Sequence, residues 1–300
     1  MRAVEANGIR FAVREEVRGG ERGLALCLHG FPESSYSWRH LLPVLADLGY
    51  RAWAPDLRGY GDSDKPPRVA DYAIEVLIED VVGLIHAAGA SRATLLAHDW
   101  GAIIAWHVAM RRPEVVERLI VMNVPHPACL AREIRHGRQL PRLWYAALFQ
   151  IPGLAERSLA EDGYRRIENA FTATAVHPDR FTPEDLRHYR ESAAKPGALP
   201  GMLRYYRAYV AGGGGRRQSK LGYPTIEAPT LMVWGEHDMA LEKATTIGTD
   251  RYVRDLTLRY VNASHWVQQD APEVVEAMVR AWLNGERVPE EWELDAELKG

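Results

Sequence analysis

The pattern of apolar and polar residues changes twice along this 300-residue chain. Up to about residue 125, short apolar runs typical of buried strands alternate with segments whose apolar residues recur at helical spacing. From Pro125 to about Tyr223 the spacing favours one helix after another, and after Pro224 the alternation returns. Such alternation predicts a parallel α/β sheet with right-handed crossovers, into which the helical stretch is inserted.

The predicted elements follow from this pattern and from the residues that interrupt it. Asn7-Gly8, between residues 2–6 and 9–16, is typical of a β-hairpin turn. Further strands are predicted at residues 24–28, 50–54, 92–97, 118–123, 230–234 and 256–261. Helices are predicted at residues 37–48, 74–88, 129–136, 141–149, 155–160, 163–173, 183–193, 202–210 and 272–283, with one more directly after Asp99.

We therefore predict three segments. Residues 1–125 form the first part of an α/β core, residues 126–223 a helical cap, and residues 224–300 a second core part that ends in an acidic tail. The cap is expected to cover the active edge of the sheet as a lid. The run Gly212–Gly215 predicts a flexible return to the core, and the arginines of the cap are interpreted as a solvated outer face.

Composition narrows the class of protein. An apolar fraction of 47% suits a globular chain, and a net charge of −3 argues against a nucleic-acid binder. Cys27 and Cys129 are expected to be free thiols in a reducing compartment. The N-terminus has no apolar signal core, and no apolar run reaches the roughly 18 residues of a membrane span. These features predict a cytoplasmic protein without a membrane span, as a monomer or a homodimer.

The first candidate for chemistry is Asp99, at the turn between a predicted strand and the helix after it. A nucleophile on such a turn has a strained backbone, so small neighbours such as Ala97 and Gly101 are required. The helix N-terminus directs free N–H groups and its positive dipole end at the turn, which stabilises an anion. The alternative is that Asp99 serves only as a helix N-cap.

Two further residues fall on loops after strands of the same predicted sheet, namely Asp238 and His265. The chain order of nucleophile, acid and histidine is that of the α/β-hydrolase fold. His265 is the predicted base that takes a proton from water, and Asp238 is predicted to orient it. The backbone N–H groups of Phe31 and Trp100 are predicted to form an oxyanion hole.

Each of these residues has competitors. Glu236 competes with Asp238 but is expected to be more exposed, and Asp270 is expected to cap the last helix. Some relatives place the acid at the end of the predicted strand at 118–123, but here that strand ends in Asn123, which cannot hold a charge. The histidines at strand ends are expected to be hydrogen-bonded scaffold, and those in loops have no evident partner. The histidines that compete with His265 are His29 and His98 at strand ends, and His126 and His237 in loops.

An aspartate in place of the usual serine changes the predicted reaction. A carboxylate needs no deprotonation before it attacks, so it suits displacement at a saturated carbon, as in an epoxide or an alkyl halide. The product is an ester whose carbonyl belongs to the enzyme, and activated water then attacks that carbonyl at the oxyanion hole. Asp99 therefore argues against a simple esterase or lipase.

Three motifs together resemble the α/β-hydrolase-fold epoxide hydrolases: His29-Gly-Phe-Pro-Glu-Ser-Ser-Tyr-Ser-Trp38, Asp56-Leu-Arg-Gly-Tyr-Gly-Asp-Ser63 and His98-Asp-Trp-Gly101. The resemblance extends over roughly residues 8 to 284. It implies a mostly parallel eight-stranded sheet flanked by helices, with an inserted helical cap. It also implies that an epoxide and water become a vicinal diol, without a metal or an organic cofactor.

The resemblance also implies two tyrosines that hydrogen-bond the epoxide oxygen as the ring opens. Residues 144–153 resemble the segment that carries the first, which points to Tyr145, and residues 200–207 resemble the segment that carries the second, which points to Tyr206. Tyr205 is an alternative, but it lies about 100° around the helix from Tyr206. A small-molecule epoxide with an apolar or aromatic substituent is expected. The residues expected to contact it are Phe31, Trp100, Tyr145, Tyr206 and Trp266.

The alternative function is that of a haloalkane or haloacid dehalogenase, which uses the same aspartate nucleophile. Haloalkane dehalogenases resemble the chain at Asp99-Trp100 but need a second side chain that donates to the halide. Phe31 has no side-chain donor, and Trp144 is a candidate substitute whose neighbour Tyr145 fits the epoxide pattern better. Fluoroacetate dehalogenases carry arginine where Trp100 stands. A ligand receptor on a hydrolase scaffold is a non-enzymatic alternative, and the intact set with Asp238 and His265 argues against it.

Overall fold

A computed structural model describes residues 1–137 and 139–298. The strands are β1 (Arg2–Ala6), β2 (Ile9–Glu16), β3 (Leu24–Leu28), β4 (Arg51–Pro55), β5 (Ala93–His98), β6 (Val116–Met122), β7 (Thr230–Gly235) and β8 (Leu256–Val261). The α-helices are α1 (Leu41–Asp47), α2 (Ile74–Ala87), α3 (Trp100–Arg111), α4 (Pro127–Arg135), α5 (Trp144–Leu148), α6 (Leu154–Thr172), α7 (Pro183–Ala194), α8 (Ala198–Tyr209), α9 (Gly214–Lys220), α10 (Val267–Asp270), α11 (Pro272–Leu283) and α12 (Glu291–Leu298).

The strands form one eight-stranded sheet in the order β1-β2-β4-β3-β5-β6-β7-β8. Strands β3 to β8 run parallel to one another, and β2 is antiparallel to both β1 and β4. The predicted α/β-hydrolase fold with a mostly parallel sheet is confirmed. The strand order reverses between β3 and β5, and ligands of open α/β sheets bind at such a switch point, beyond the carboxyl ends of the strands.

The sheet is buried on both faces, as the apolar run of β3 indicates. Leu24, Leu26 and Leu28 belong to the core on one face, which also holds residues of α2 and α3. Ala25 and Cys27 belong to the core on the other face, with residues of α1 and α11. Cys27 and Cys129 are both buried free thiols, as predicted.

Several predicted element bounds needed correction. Residues 37–48 are not one helix, because a 3-10 helix at Ser35–Trp38 precedes α1. The predicted gap between helices at 155–160 and 163–173 is a kink within α6, where Asp162 and Tyr164 have positive φ. The predicted flexible run Gly212–Gly215 is wrong in its second half, because α9 begins at Gly214.

Between β6 and β7 the chain forms α4 to α9, which we call the helical insertion (Pro127–Lys220). It is tied to the core by Arg39 to Asp185 at 3.1 Å and by Lys195 to Asp62 at 2.6 Å. The predicted segment bounds at 125/126 and 223/224 stay predictions. Residue 138 of the predicted cap and residues 299–300 of the acidic tail lie outside the described residues. Among the helices described, none combines the length and the apolar character needed to cross a bilayer.

Candidate active site

Asp99 stands at the sharp turn between β5 and α3, as predicted. Its backbone is strained, with φ 46° and ψ −121°. The helix after it lies so close to β3 that a Cβ on Gly101 would collide with the carbonyl oxygen of Leu28, which explains the small residue there. The Asp99 side chain makes no capping hydrogen bond to its own helix. A role as helix N-cap therefore does not explain this aspartate.

The Asp99 carboxylate instead faces the loop after β3. The backbone N–H of Phe31 donates to Asp99 Oδ1 at 2.6 Å. A Cβ on Gly30 would overlap the Asp99 side chain, so the glycine permits this close approach. The structure thus brings together the predicted nucleophile and one of the two predicted oxyanion-hole residues. Trp100 opens α3, and the role of its N–H stays a prediction.

His265 connects the other two members of the predicted triad. Its Nδ1 lies 2.7 Å from Asp238 Oδ2, and its Nε2 lies 3.6 Å from Asp99 Oδ2. Burial lowers the pKa of His265, but Asp238 and then Asp99 more than offset this and raise it to about 10. Burial raises the pKa of Asp99, yet the hydrogen bond and charge of His265 hold it below its usual range. The two groups therefore form an ion pair in the cavity wall, with His265 buried and Asp99 partly buried.

Asp238 is held by three groups besides His265. The backbone N–H groups of Ala240 and Leu241 donate to Oδ1 at 2.7 and 2.9 Å. The side-chain amide of Asn123 donates to Oδ2 at 2.8 Å. Asn123 thus supports the acid from the neighbouring strand end, a contact that sequence reasoning missed. The competitor Glu236 is exposed, as expected, and pairs with Lys243.

The histidines at strand ends are hydrogen-bonded scaffold, as predicted. His29 Nδ1 lies 3.0 Å from the Gly30 oxygen, and its Nε2 accepts from the Leu57 N–H. His98 lies beneath the site, with Nδ1 2.9 Å from Glu33 Oε2 and Nε2 2.8 Å from the carbonyl oxygen of His265. Glu33 was not singled out in the sequence, although it directly follows the first motif's proline.

The expectation that Asp270 caps the last helix is wrong. Helix α11 has Ala271 at its N-cap, and Asp270 is fully buried behind the site. Its carboxylate accepts from the backbone N–H of Ser264 at 2.7 Å. It also accepts from Val176 and His177 of the helical insertion, at 3.0 and 2.7 Å. The carboxylate joins the His265 loop to the insertion, because backbone donors from both converge on it.

A cavity of about 480 Å³ lies between the core and the helical insertion, with Asp99 and His265 in its wall. Most of its lining is apolar. The aromatic residues that line it are Phe31, Trp144, Tyr145, Phe149, Tyr206 and Trp266. Trp100, predicted as a pocket wall, lies outside this lining and packs behind Tyr206 at a ring distance of 4.9 Å. A wall of this kind suits a ligand with an apolar or aromatic body.

Tyr145 and Tyr206 reach this cavity from two helices of the insertion, with ring centroids 6.1 Å apart. Burial, followed by the charge of Asp99, raises the pKa of both phenols. Both therefore stay protonated and can donate hydrogen bonds at neutral pH. The alternative, Tyr205, points away and donates to the Arg58 carbonyl oxygen at 2.7 Å.

The side chains that a dehalogenase would need to bind a halide are less well placed than those that an epoxide hydrolase needs. Phe31 packs its ring on Tyr206 at 5.5 Å and has no side-chain donor. Trp144, the possible second halide donor, is 68% exposed at the cavity mouth. Trp100 lies outside the cavity lining, with its ring packed edge-on against Tyr206. Within residues 1–137 and 139–298, no group of three or more His, Cys, Asp or Glu side chains is placed to hold a metal ion.

Comparisons with known proteins agree with this geometry. A family model described as α/β hydrolase fold matches residues 25–272. Epoxide hydrolase 4 of Mus musculus is 37% identical over 94% of this chain and 79% of its own length. Epoxide hydrolase A of Mycobacterium tuberculosis is 32% identical over 95% of this chain and 97% of its own.

Solved structures show the same relationship. A mutant epoxide hydrolase from Bacillus megaterium, complexed with its product (R)-3-[1]naphthyloxy-propane-1,2-diol, superimposes with a TM-score of 0.85 at 31% identity. The match covers 94% of this chain and all of that one. The chain therefore belongs to the α/β-hydrolase fold family and, within it, to the epoxide hydrolases.

Proposed function

We propose that the protein converts an epoxide and water into a vicinal diol through a covalent ester on Asp99. One observation carries the proposal. The strained, partly buried Asp99 accepts from the Phe31 N–H with one carboxylate oxygen and turns the other toward His265, in a cavity that two tyrosines share. This arrangement provides a nucleophile, donors for a leaving oxygen, and a base for hydrolysis.

In the first half-reaction, Asp99 Oδ2 attacks one carbon of the epoxide. A C–O bond forms to Asp99 as the epoxide C–O bond breaks, and the electron pair of the broken bond goes to the epoxide oxygen. Tyr145 and Tyr206 donate hydrogen bonds to that oxygen as its charge develops. Their raised pKa values support this role, because a phenol that is already ionised cannot donate.

In the second half-reaction, His265 Nε2 takes a proton from water, and the resulting hydroxide attacks the ester carbonyl of Asp99. The negative charge of the tetrahedral intermediate develops on Oδ1, where Phe31 and, by prediction, Trp100 donate backbone N–H groups. Collapse of this intermediate breaks the bond between Cγ and Oδ2 of the ester, so the diol leaves with that oxygen. The proton of the added hydroxyl passes to the leaving oxygen, and the Asp99 carboxylate is restored with an oxygen from water. The 2.7 Å contact to Asp238 fixes the tautomer of His265 and stabilises its protonated form.

The apolar and aromatic lining supports a substrate with an apolar or aromatic substituent. The Bacillus megaterium relative was crystallised with an aryl ether diol, which is a product of this class. We further propose that residues 126–223 form a cap over the site. The free thiols support a location in the cytoplasm. A dehalogenase is not favoured, because donors for a halide are poorly placed.

The test supplies styrene oxide and a small haloalkane in parallel and measures diol and halide release. Diol from styrene oxide, without halide release, is expected. Replacing both tyrosines, Tyr145→Phe with Tyr206→Phe, should slow ring opening by about 3 kcal/mol for each lost hydrogen bond, by analogy with other oxyanion sites. Halide release without diol would overturn the proposal.

A further inference from the structure

We propose that Tyr205 is a positioning residue for Tyr206. Its hydroxyl holds α8 against the loop that follows β4, and this contact sets where the Tyr206 hydroxyl lies relative to Asp99. The inference rests on the proposed role of Tyr206 in ring opening. It assigns a specific task to a buried hydroxyl that touches neither substrate nor triad.

The Tyr205 side chain is fixed on all sides. It is 1% exposed, and its hydroxyl donates to the carbonyl oxygen of Arg58 at 2.7 Å. Its ring packs edge-on against three other rings, with centroids 5.4 to 5.5 Å away. These rings belong to Tyr60, Tyr72 and Trp100. A hydroxyl held in this way fixes the distance of α8 from the loop after β4 and the rotation of the helix about its axis at this turn.

The helix backbone rests on the same loop one turn earlier. Gly201 and Tyr205 lie four residues apart, so they occupy one face of α8. A Cβ on Gly201 would lie 2.5 Å from the Gly59 carbonyl oxygen and 2.9 Å from its Cα. The helix therefore cannot move closer to the loop, and the Tyr205 hydrogen bond opposes movement away from it.

The loop itself is a rigid anchor. The Arg58 guanidinium donates to both oxygens of Asp80, at 2.7 Å from Nε and 2.6 Å from Nη2. Asn7 donates to the same carboxylate at 2.7 Å. The Arg58 and Asp80 side chains are both buried, so this bidentate pair ties the loop to α2 and to the β1–β2 turn. The Arg58 carbonyl cannot follow α8 if the helix shifts.

Tyr206 lies next in the chain, turned by about 100° toward the cavity. It packs on Phe31 and Phe149 at ring distances of 5.5 and 4.9 Å, contacts that tolerate sliding better than a hydrogen bond does. Its distance to the epoxide oxygen therefore depends on the position of α8. His265 is held by Asp238 on separate loops, so ester hydrolysis does not depend on this contact.

The experiment separates the two half-reactions in single turnovers with styrene oxide, by rapid quench and mass spectrometry of the ester on Asp99. Tyr205→Phe keeps the ring and loses the hydroxyl, and should slow ring opening on the order of tenfold, as expected for a misplaced group. Ester hydrolysis should stay within about twofold of the parent rate. Gly201→Ala, which perturbs the same contact from the backbone, should likewise slow ring opening and leave ester hydrolysis within about twofold of the parent rate.

Tyr209→Phe is the matched control, because it removes a hydroxyl from the same helix whose only near partner among the described residues is His107 at 3.3 Å. It should change neither half-reaction. Equal slowing of both half-reactions in Tyr205→Phe, or unchanged ring opening, would overturn the inference. Tyr206→Phe is measured beside it. If that variant opens the ring at the parent rate, the proposed function of Tyr206 fails, and the inference fails with it for that separate reason.

Discussion

The ion pair between His265 and Asp99 predicts how far the pKa of His265 falls when the charge of Asp99 is removed. The change is Asp99→Asn, which keeps the size of the side chain and removes its charge. In the parent protein, burial lowers the pKa of His265, while Asp238 and Asp99 raise it to about 10. The variant retains Asp238 and burial, so the pKa of His265 should fall but stay above that of a buried histidine without any acidic partner.

The magnitude follows from the geometry. His265 Nε2 and Asp99 Oδ2 are 3.6 Å apart. At an effective dielectric constant of about 20, two unit charges at this distance attract by about 4–5 kcal/mol, which corresponds to roughly three pH units. This is an upper bound for the change, because Asp238 contributes before Asp99 to the raised pKa. We expect the pKa of His265 to fall by about two to three pH units.

The assay follows the imidazole of His265 by NMR during a pH titration of both proteins. Glu227→Gln is the control, since Glu227 is an exposed residue paired with Arg254 and should leave the titration unchanged. An unchanged pKa in Asp99→Asn would refute the electrostatic reasoning. Ester formation neutralises Asp99 in the same way, so it should convert His265 from an imidazolium into the base that the second half-reaction needs.

Further predictions concern the intermediate and the stability of the fold. His265→Gln should accumulate an ester on Asp99 that mass spectrometry detects as a substrate-sized adduct; an active parent enzyme with an unmodified variant would favour direct attack by water. Asp80→Asn should lower the free energy of unfolding in urea by about 3–5 kcal/mol, because it leaves the Arg58 charge buried with a weaker partner. Glu227→Gln, which breaks an exposed pair, should leave the free energy of unfolding nearly unchanged. Because folding raises the pKa of His265, its contribution to stability is full below about pH 6.5 and is lost as pH rises toward 10, so the unfolding free energy should fall across that window.

The residues at strand ends were accessible from the sequence because the pattern of apolar runs places them. Asp99, Asp238 and His265 each follow a predicted strand, and parallel strands bring their carboxyl ends to one edge. The two tyrosines were named from motif resemblance, since helical periodicity alone does not distinguish a pocket tyrosine from a packing one. For Tyr205, the 100° rotation was sufficient to predict that it points elsewhere.

The hydrogen bonds that support the site from other loops could not be predicted from the sequence in this way. Asp270 looked like a helix cap because it stands close before Pro272, yet its partners include Val176 and His177, more than 90 residues away in the chain. The amide of Asn123 and the carboxylate of Glu33 likewise act across loops of different strands. Local spacing carries no information about such pairings, which depend on how the loops pack.

The position of Asp270 has a consequence for how ligands enter and leave. If the segment at Val176 and His177 moved outward, the fully buried Asp270 carboxylate would lose two hydrogen-bond donors, which is costly. The movement would also loosen the Ser264 contact that shapes the loop of the base. We therefore expect the segment at Val176 and His177 to stay in place during turnover. We expect epoxide and diol to pass instead where the exposed side chains of Trp144 and Met239 border the cavity.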